Sequence, residues 1–518
     1  MVQSPSTWLG VVKNKRVIAL FFALFITFFM LFDVHFPDYL AYIQTPAGFM
    51  FMGKAAYFDP WDINVYVTAI RWGQSGHILL QNLYTTDPTG GALLYPLYTA
   101  LGYAFRSIDP FLLFHVASTV CGFILGMTIY ILIGYFIQSY KVRLIAFFLI
   151  LFGGGFGWIV SGPFGSADMF VTGFTFHSSI QRGHEAIGTM LYLTAMVSFY
   201  VALTTEKKLL PVFVLTALLL MVFYPYYLLS IGTICFIYLL LQQKRRRYMI
   251  LFLTGYFMLG LIDIYYYVSL KNAGFTSVAT QHLSQVTFKN IVLGYGLLGV
   301  LYVFQLFSKR TLRDSRYVFL NLWVVTSIAF NFAPLGINRF FLRGLFFPIV
   351  ISVLIFLYIQ KKTWGMSRTV ITIILLLIVP LSTLSVYQRR VDEIPQENVW
   401  YYQPSSMRDV YTFFSRIKDA HVLASYVTSS HIPAFSSSKV YAGHIIQTPY
   451  FYKKYIDIDA FYTGKKTKKD ALRFLNQNSI QYVVYGLYEK EFGTMPHYSF
   501  LHPVFTNREV TIYRVTKP

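Results

Sequence analysis

Charge is what this sequence has least of. Only 13% of its 518 residues are charged, whereas a water-facing surface needs about 25%, so a soluble globular protein is excluded. Acids are scarcer than bases, 22 Asp and Glu against 43 Lys and Arg. There are two cysteines, Cys121 and Cys235, both inside apolar runs, and they read as small core residues. No Walker loop, GxSxG, HExxH or CxxC pair occurs, so ATPase, serine hydrolase and zinc-hydrolase readings have no support. No internal repeat is evident, so the inverted halves common in transporters are not seen.

What is present is apolar surface. Hydrophobic residues make up 56% and aromatics 19%, with 50 Phe and 41 Tyr. Membrane is the solvent that suits this composition, since Tyr and Trp collect where hydrocarbon meets water. A net charge of +21 would suit nucleic acid, but position argues against that partner. Eighteen Lys and Arg fall into six short segments between apolar runs: Lys13 to Arg16, Lys141 and Arg143, Lys207 and Lys208, Lys244 to Arg247, Lys309 to Arg316, and Lys361 to Arg368. That is positive-inside topology. The basic start before Val17 to Phe32 imitates a signal peptide, but the run is longer than usual and lacks an A-x-A-like site. It reads as a retained first span.

The expected fold is an α-helical polytopic membrane protein with about eleven transmembrane helices and a small C-terminal α/β soluble domain. The expected location is the plasma membrane, multi-pass, with the N-terminus cytoplasmic. Residues 1–387 form the transmembrane domain, with a long outer loop over 35–108 and a second outer segment over 162–184. Residues 388–518 are extracytoplasmic. In this tail the patterning predicts helices over 407–418 and 467–476, and strands over 422–426, 482–485, near Val504 and over 511–515.

Candidate chemistry clusters on the outer side. Asp59 and Asp62 stand three apart beside Trp61 and Tyr66. Such a pair serves as a general base or binds a divalent cation, Mg or Mn, at Asp62; it equally suits capping of a helix starting near Ile63. Arg182, His184 and Glu185 form an ionisable cluster where span four begins, fit for a phosphate group or for an ordinary polar rim. Asn338, Arg339 and Arg343 head span ten on the outside, where arginines are disfavoured. On a helix Arg339 and Arg343 share one face, which suits a phosphate headgroup; snorkelling to lipid phosphates is the plainer reading. Asp263, within span seven, is the one carboxylate expected inside a span.

These pieces together resemble the bacterial multi-spanning glycosyltransferases of the GT-C superfamily, relatives of the protein mannosyltransferases and aminoarabinose transferases. The carriers are Asp62-Ile63-Asn64-Val65-Tyr66, Asn82-Leu83-Tyr84-Thr85, Tyr95-Pro96-Leu97-Tyr98, Gly153 to Trp158 in span three, His184, Asn338-Arg339-Phe340 with Arg343-Gly344, and in the tail Ile432-Pro433-Ala434, Tyr441-Ala442-Gly443-His444, Thr448-Pro449 and Lys453 or Lys454. The resemblance implies transfer of a sugar, hexosyl or pentosyl, from a polyprenyl-phosphate donor to a glycan, lipid or protein acceptor of the cell envelope, with no nucleotide cofactor. It implies Asp62 as catalytic base, with Asp59 the alternative, and Arg339, Arg343, Arg182 and His184 on the donor phosphate. Two rivals remain open: a transporter or flippase of a lipid-linked sugar, and a non-catalytic membrane scaffold.

Overall fold

The computed structural model describes residues 5–160, 162, 164–242, 246–272, 274–275, 286–308, 314–334, 338–359 and 365–516. The chain gathers into two compact units. One comprises Met1–Pro37, Val116–Asp263 and His282–Val391, the other Asp38–His115, Ile264–Gln281 and Asp392–Pro518. Gly336, much of the polar stretch before Asn290, and the basic residues Lys244, Arg245, Lys309, Arg310, Arg313, Lys361 and Lys362 lie outside the described residues.

In hydrocarbon a backbone must satisfy its own hydrogen bonds, so long apolar runs become helices. Among the described residues six helices are long and apolar enough to cross a membrane: Lys15–Ile43, Pro110–Ile133, Gly183–Thr204, Phe288–Leu306, Asn338–Tyr358 and Ser367–Gln396. Helices Tyr140–Leu151, Leu210–Phe223, Tyr226–Leu241, Arg246–Asn272 and Ser315–Asn331 stand at the other five positions where spans are expected. Among the described residues, six helices meet that length and composition by themselves. Phe21, Phe25, Phe304 and Leu377 are each at least 60% exposed. Large side chains facing outward in such numbers mark a surface for lipid.

One expectation about span three fails. The glycine run 153–157 is not helical, because the helix stops at Leu151. A β-carbon on Gly155 would lie 2.0 Å from the carbonyl oxygen of Leu293, so two backbones touch there and only glycine fits. The Phe156 amide donates to that same carbonyl at 2.8 Å, and the Gly155 amide donates to the buried Asp168 carboxylate at 2.7 Å.

The second unit joins the segment 38–115, expected to be an outer segment, to the tail. Helices Asp62–Gln74 and Pro96–Ala104 press backbone to backbone. A β-carbon on Gly102 would meet the Ile70 carbonyl at 1.9 Å. The tail carries a five-stranded mixed sheet in the order 439–440, 421–423, 482–485, 511–515, 501–506. The first three strands are parallel and the last two run antiparallel. The predicted helices appear as Met407–Ser415 and Lys468–Gln477. The predicted strand over 422–426 is shorter, His421–Leu423, because Ser425 caps a helix Tyr426–Phe435. Met52, Val65 and Tyr84 of the outer segment share one buried core with Met407, Val410, Phe414, Val422 and Ile512 of the tail. Strand Phe49–Phe51 pairs with Tyr402–Pro404.

Candidate functional site

Asp59 has a left-handed backbone, φ 41°, an uncommon state for a residue with a β-carbon. It also precedes Pro60, which narrows its backbone choices further. Its carbonyl accepts from the Asp62 amide at 3.0 Å. Asp62 is the first residue of helix Asp62–Gln74, and the residue at the capping position, Trp61, makes no side-chain cap. Capping by Asp59 or Asp62 is therefore not what the structure shows. Asp62 keeps the favourable electrostatics of an acid in a first turn.

Two neighbours hold the Asp62 carboxylate. The His444 ring Nε2 lies 3.0 Å from Oδ1, and the Tyr66 hydroxyl lies 3.4 Å from Oδ2. Tyr66 is buried against Tyr95, Tyr98 and Phe114. His444 Nδ1 accepts from the amides of Ile446 and Gln447, both at 3.2 Å. With Nδ1 acting as acceptor, the ring proton sits on Nε2 and points at Asp62. The loop carrying His444 is fastened to the outer segment: Asn82 Nδ2 donates to the Gln447 carbonyl at 2.7 Å, and Thr448 Oγ1 to that of Tyr84 at 2.6 Å. Lys454 Nζ bonds Thr85 Oγ1 and Asp87 Oδ2, each at 2.7 Å; burial depresses its ammonium while Asp87 sustains it.

A divalent cation fits Asp62 poorly. Both carboxylate oxygens have protein neighbours, and among the described residues Asp59, Asp62 and His444 do not bring three ligand atoms together.

In the helical unit Arg182, Glu185 and Arg343 come together, all nearly fully buried. Glu185 Oε1 receives Arg343 Nη2 at 3.1 Å and Arg182 Nη1 at 3.5 Å. Arg343 Nε donates to the Thr172 carbonyl at 3.1 Å, and its guanidinium lies over the Phe340 ring, 4.4 Å from the centroid. A β-carbon on Gly173 would sit 2.5 Å from Arg343 Nε, so that glycine gives the guanidinium its room. Arg339 differs: it is partly exposed, and among the described residues its Nε has no hydrogen-bond partner.

The shared helical face expected for Arg339 and Arg343 is not formed. Within the apolar stretch Asn338–Tyr358 the first residues, Asn338–Leu342, form a 3₁₀ turn, Gly344 is left-handed at φ 73°, and the α-helical part begins at Phe346. Asn338 is buried, and its amide closes the end of helix Ser315–Asn331 by donating to the carbonyls of Asn331, at 2.9 Å, and Ala333. His184 is buried and stacks on Tyr224, centroids 6.0 Å apart. Asp263 lies in helix Arg246–Asn272, but its side chain lies outside the described residues. It is not the one carboxylate within an apolar helix. Asp33 lies buried in Lys15–Ile43 with His177 Nε2 at 2.8 Å. Sequence patterning passed over this pair because Asp33 closes an otherwise apolar run.

No family model matches this chain, and no curated protein matches it in sequence. Its fold does match solved structures. The chain has the fold of an archaeal oligosaccharyltransferase. The oligosaccharyltransferase of Archaeoglobus fulgidus in complex with Zn and sulfate superimposes with a TM-score of 0.53, at 14% identity, over 88% of this chain and 68% of that one. The archaeal oligosaccharyltransferase AglB from A. fulgidus, in complex with an inhibitory peptide and a dolichol-phosphate, gives 0.53 at 14% identity over 90% and 70%. The A. fulgidus enzyme tethered to an acceptor peptide containing the NVT sequon gives 0.51 at 13% over 89% and 69%. At these identities the likeness is one of fold.

Proposed function

We propose that this protein is a GT-C membrane glycosyltransferase that moves a sugar from a polyprenyl-phosphate-linked donor to an acceptor on the outer face of the membrane. The observation that carries the reading is the acid pair. Asp59 is held in a strained backbone state beside an Asp62 pinned by His444, and strain of this kind collects at functional sites. The fold shared with an enzyme solved with dolichol-phosphate and with acceptor peptide supports the class of donor.

The reacting base in this proposal is Asp59, the member of the pair held in a strained backbone state, with Asp62 as its fixed neighbour. Asp59 takes the proton of the acceptor hydroxyl as that oxygen attacks the anomeric carbon. The bond from that carbon to the phosphate oxygen breaks, configuration inverts, and the lipid phosphate leaves as an anion. Taking the helical unit by itself, Arg339, whose Nε has no hydrogen-bond partner among the described residues, is the group we assign to a lipid phosphate. Arg343 is a positioning residue, tied to Glu185. The outer placement of the tail is part of the same proposal. An impermeant thiol reagent on intact cells should label Ser437→Cys and not Ser308→Cys.

One observation favours a flippase of lipid-linked sugars, namely Asp33 inside an apolar helix with the buried His177 Nε2 at 2.8 Å from its carboxylate. Mass spectrometry of lipid-linked sugars and surface glycans separates the readings. Cells carrying Asp59→Asn should accumulate the donor and lose the modified glycan, while Asp33→Asn should leave the glycan in place. The opposite pattern overturns the enzyme.

A further inference from the structure

Three aromatic side chains that the mechanism does not use line up beside the acid pair. Trp61 sits in sequence between Asp59 and Asp62. Its ring meets Trp400 edge to face at 5.9 Å, and Trp400 meets Tyr426 in the same way at 5.7 Å. All three are partly exposed. The other faces of this row are backed. Phe451 packs on Tyr426 at 5.2 Å and His431 stacks on Trp400 at 5.8 Å. Tyr426 is the first residue of helix Tyr426–Phe435, whose start is fixed by the Ser425 cap and by the Ser425 amide donating to Glu489 Oε1 at 2.8 Å. The row is thus rigid before any ligand arrives.

The second observation is the Tyr426 hydroxyl. Its oxygen is buried and has no hydrogen-bond partner among the described residues, although a buried hydroxyl left unmatched costs about 1–3 kcal/mol. Burial first, and then the charges of Asp62 and Asp59, hold this phenol well above its ordinary range, so it remains a donor. Rigid aromatic faces with one unspent donor among them, next to carboxylates, call for a ligand that is apolar on one face and hydroxylated at its rim. A pyranose ring answers that description. Its C–H groups lie on the electron-rich face of an indole, and a few convergent polar groups fix its orientation.

We propose that Trp61, Trp400 and Tyr426 form a saccharide subsite alongside Asp59 and Asp62, with the Tyr426 hydroxyl donating to a ring hydroxyl of the bound pyranose. This rests on the glycosyltransferase reading and names a place where that enzyme holds sugar. The pyranose is either the sugar of the lipid-linked donor or the terminal sugar of a glycan acceptor, and the ligand chemistry is the same.

Saturation-transfer NMR on the purified full chain, with methyl pyranosides of glucose, galactose, mannose and N-acetylglucosamine as probes, tests this without needing turnover. Saturation should reach the C–H protons of at least one probe, vanish in Trp400→Leu, and weaken on the order of tenfold in Tyr426→Phe, a change too small to unfold the helix. Displacement of the probe by a farnesyl-phosphate conjugate of the same sugar assigns the subsite to the donor; simultaneous binding assigns it to the acceptor. Equal saturation in wild type and both variants, or none in wild type, overturns the subsite. Wild-type transfer with unimpaired variants sinks the subsite and leaves the enzyme standing. Pyranose binding without any transfer does the reverse.

Discussion

His444 and Asp62 lie 382 positions apart in the chain, and their side chains meet at 3.0 Å. The imidazole carries its proton on the side of the carboxylate because two backbone amides occupy the other nitrogen. Hydrogen bonds to a charged group contribute about 1.5–3 kcal/mol. His444→Ala should therefore lower kcat on the order of tenfold to a hundredfold with little change in donor KM, and His444→Gln, which keeps a donor, should recover part of it. Unchanged kcat in the alanine variant would show that the contact is incidental.

The two carboxylates are separable. Asp59→Asn keeps the shape of the turn and removes the base, so transfer should fall on the order of 10²–10⁴-fold while the protein still folds. Asp62→Asn should cost less, since its partner His444 can still donate to an amide oxygen. If Asp62→Asn is the more damaging of the two, the base belongs to Asp62. If neither variant is impaired, neither carboxylate is the base and the proposed mechanism fails.

Arg343 and Arg339 should fail in different ways. Losing Arg343 takes from Glu185 its closer guanidinium partner and leaves Arg182 at 3.5 Å, and lost hydrogen bonds to charged groups cost about 1.5–3 kcal/mol. Thermal melting in detergent should show Arg343→Met as strongly destabilised. Arg339→Lys should melt like wild type and raise the donor KM, because an ammonium cannot fork onto phosphate oxygens. Normal melting of Arg343→Met would remove the structural role assigned to it.

Acid should act on the tail through His431. Burial lowers its pKa from 6.5 to about 4, so the folded form binds fewer protons than the unfolded form across that interval. Stability is therefore full above pH 6.5 and declines as pH falls towards 4, by about 3 kcal/mol in all. His431→Phe, read by melting at pH 7 and pH 4.5, should reduce the acid loss. An identical drop in both proteins would assign it to other groups.

The helix positions and the alternating tail were legible because apolar runs and period-two patterning are local properties. Asp62 and His444 were each legible as candidates, but their meeting was not, since nothing in either segment encodes a partner so distant. The shared face of Arg339 and Arg343 was misread because the i to i+4 rule assumes a helix, and here a 3₁₀ turn and left-handed Gly344 intervene. The glycine run at 153–157 was placed in a span by its apolar surroundings; its tight contact with Leu293 belongs to tertiary structure. Trp400 and Tyr426 gave no signal, since aromatics are everywhere in this chain.

The common core of the outer segment and the tail also sets a schedule. At about 5–20 residues per second of synthesis, the segment 38–115 leaves the ribosome roughly half a minute before residues 392–518 exist. Through that interval Met52, Val65 and Tyr84 have no interior to enter, and strand Phe49–Phe51 has no partner strand. The contact of Asp62 with His444 therefore forms only after residue 444 has been made, later than all six of the long apolar helices among the described residues.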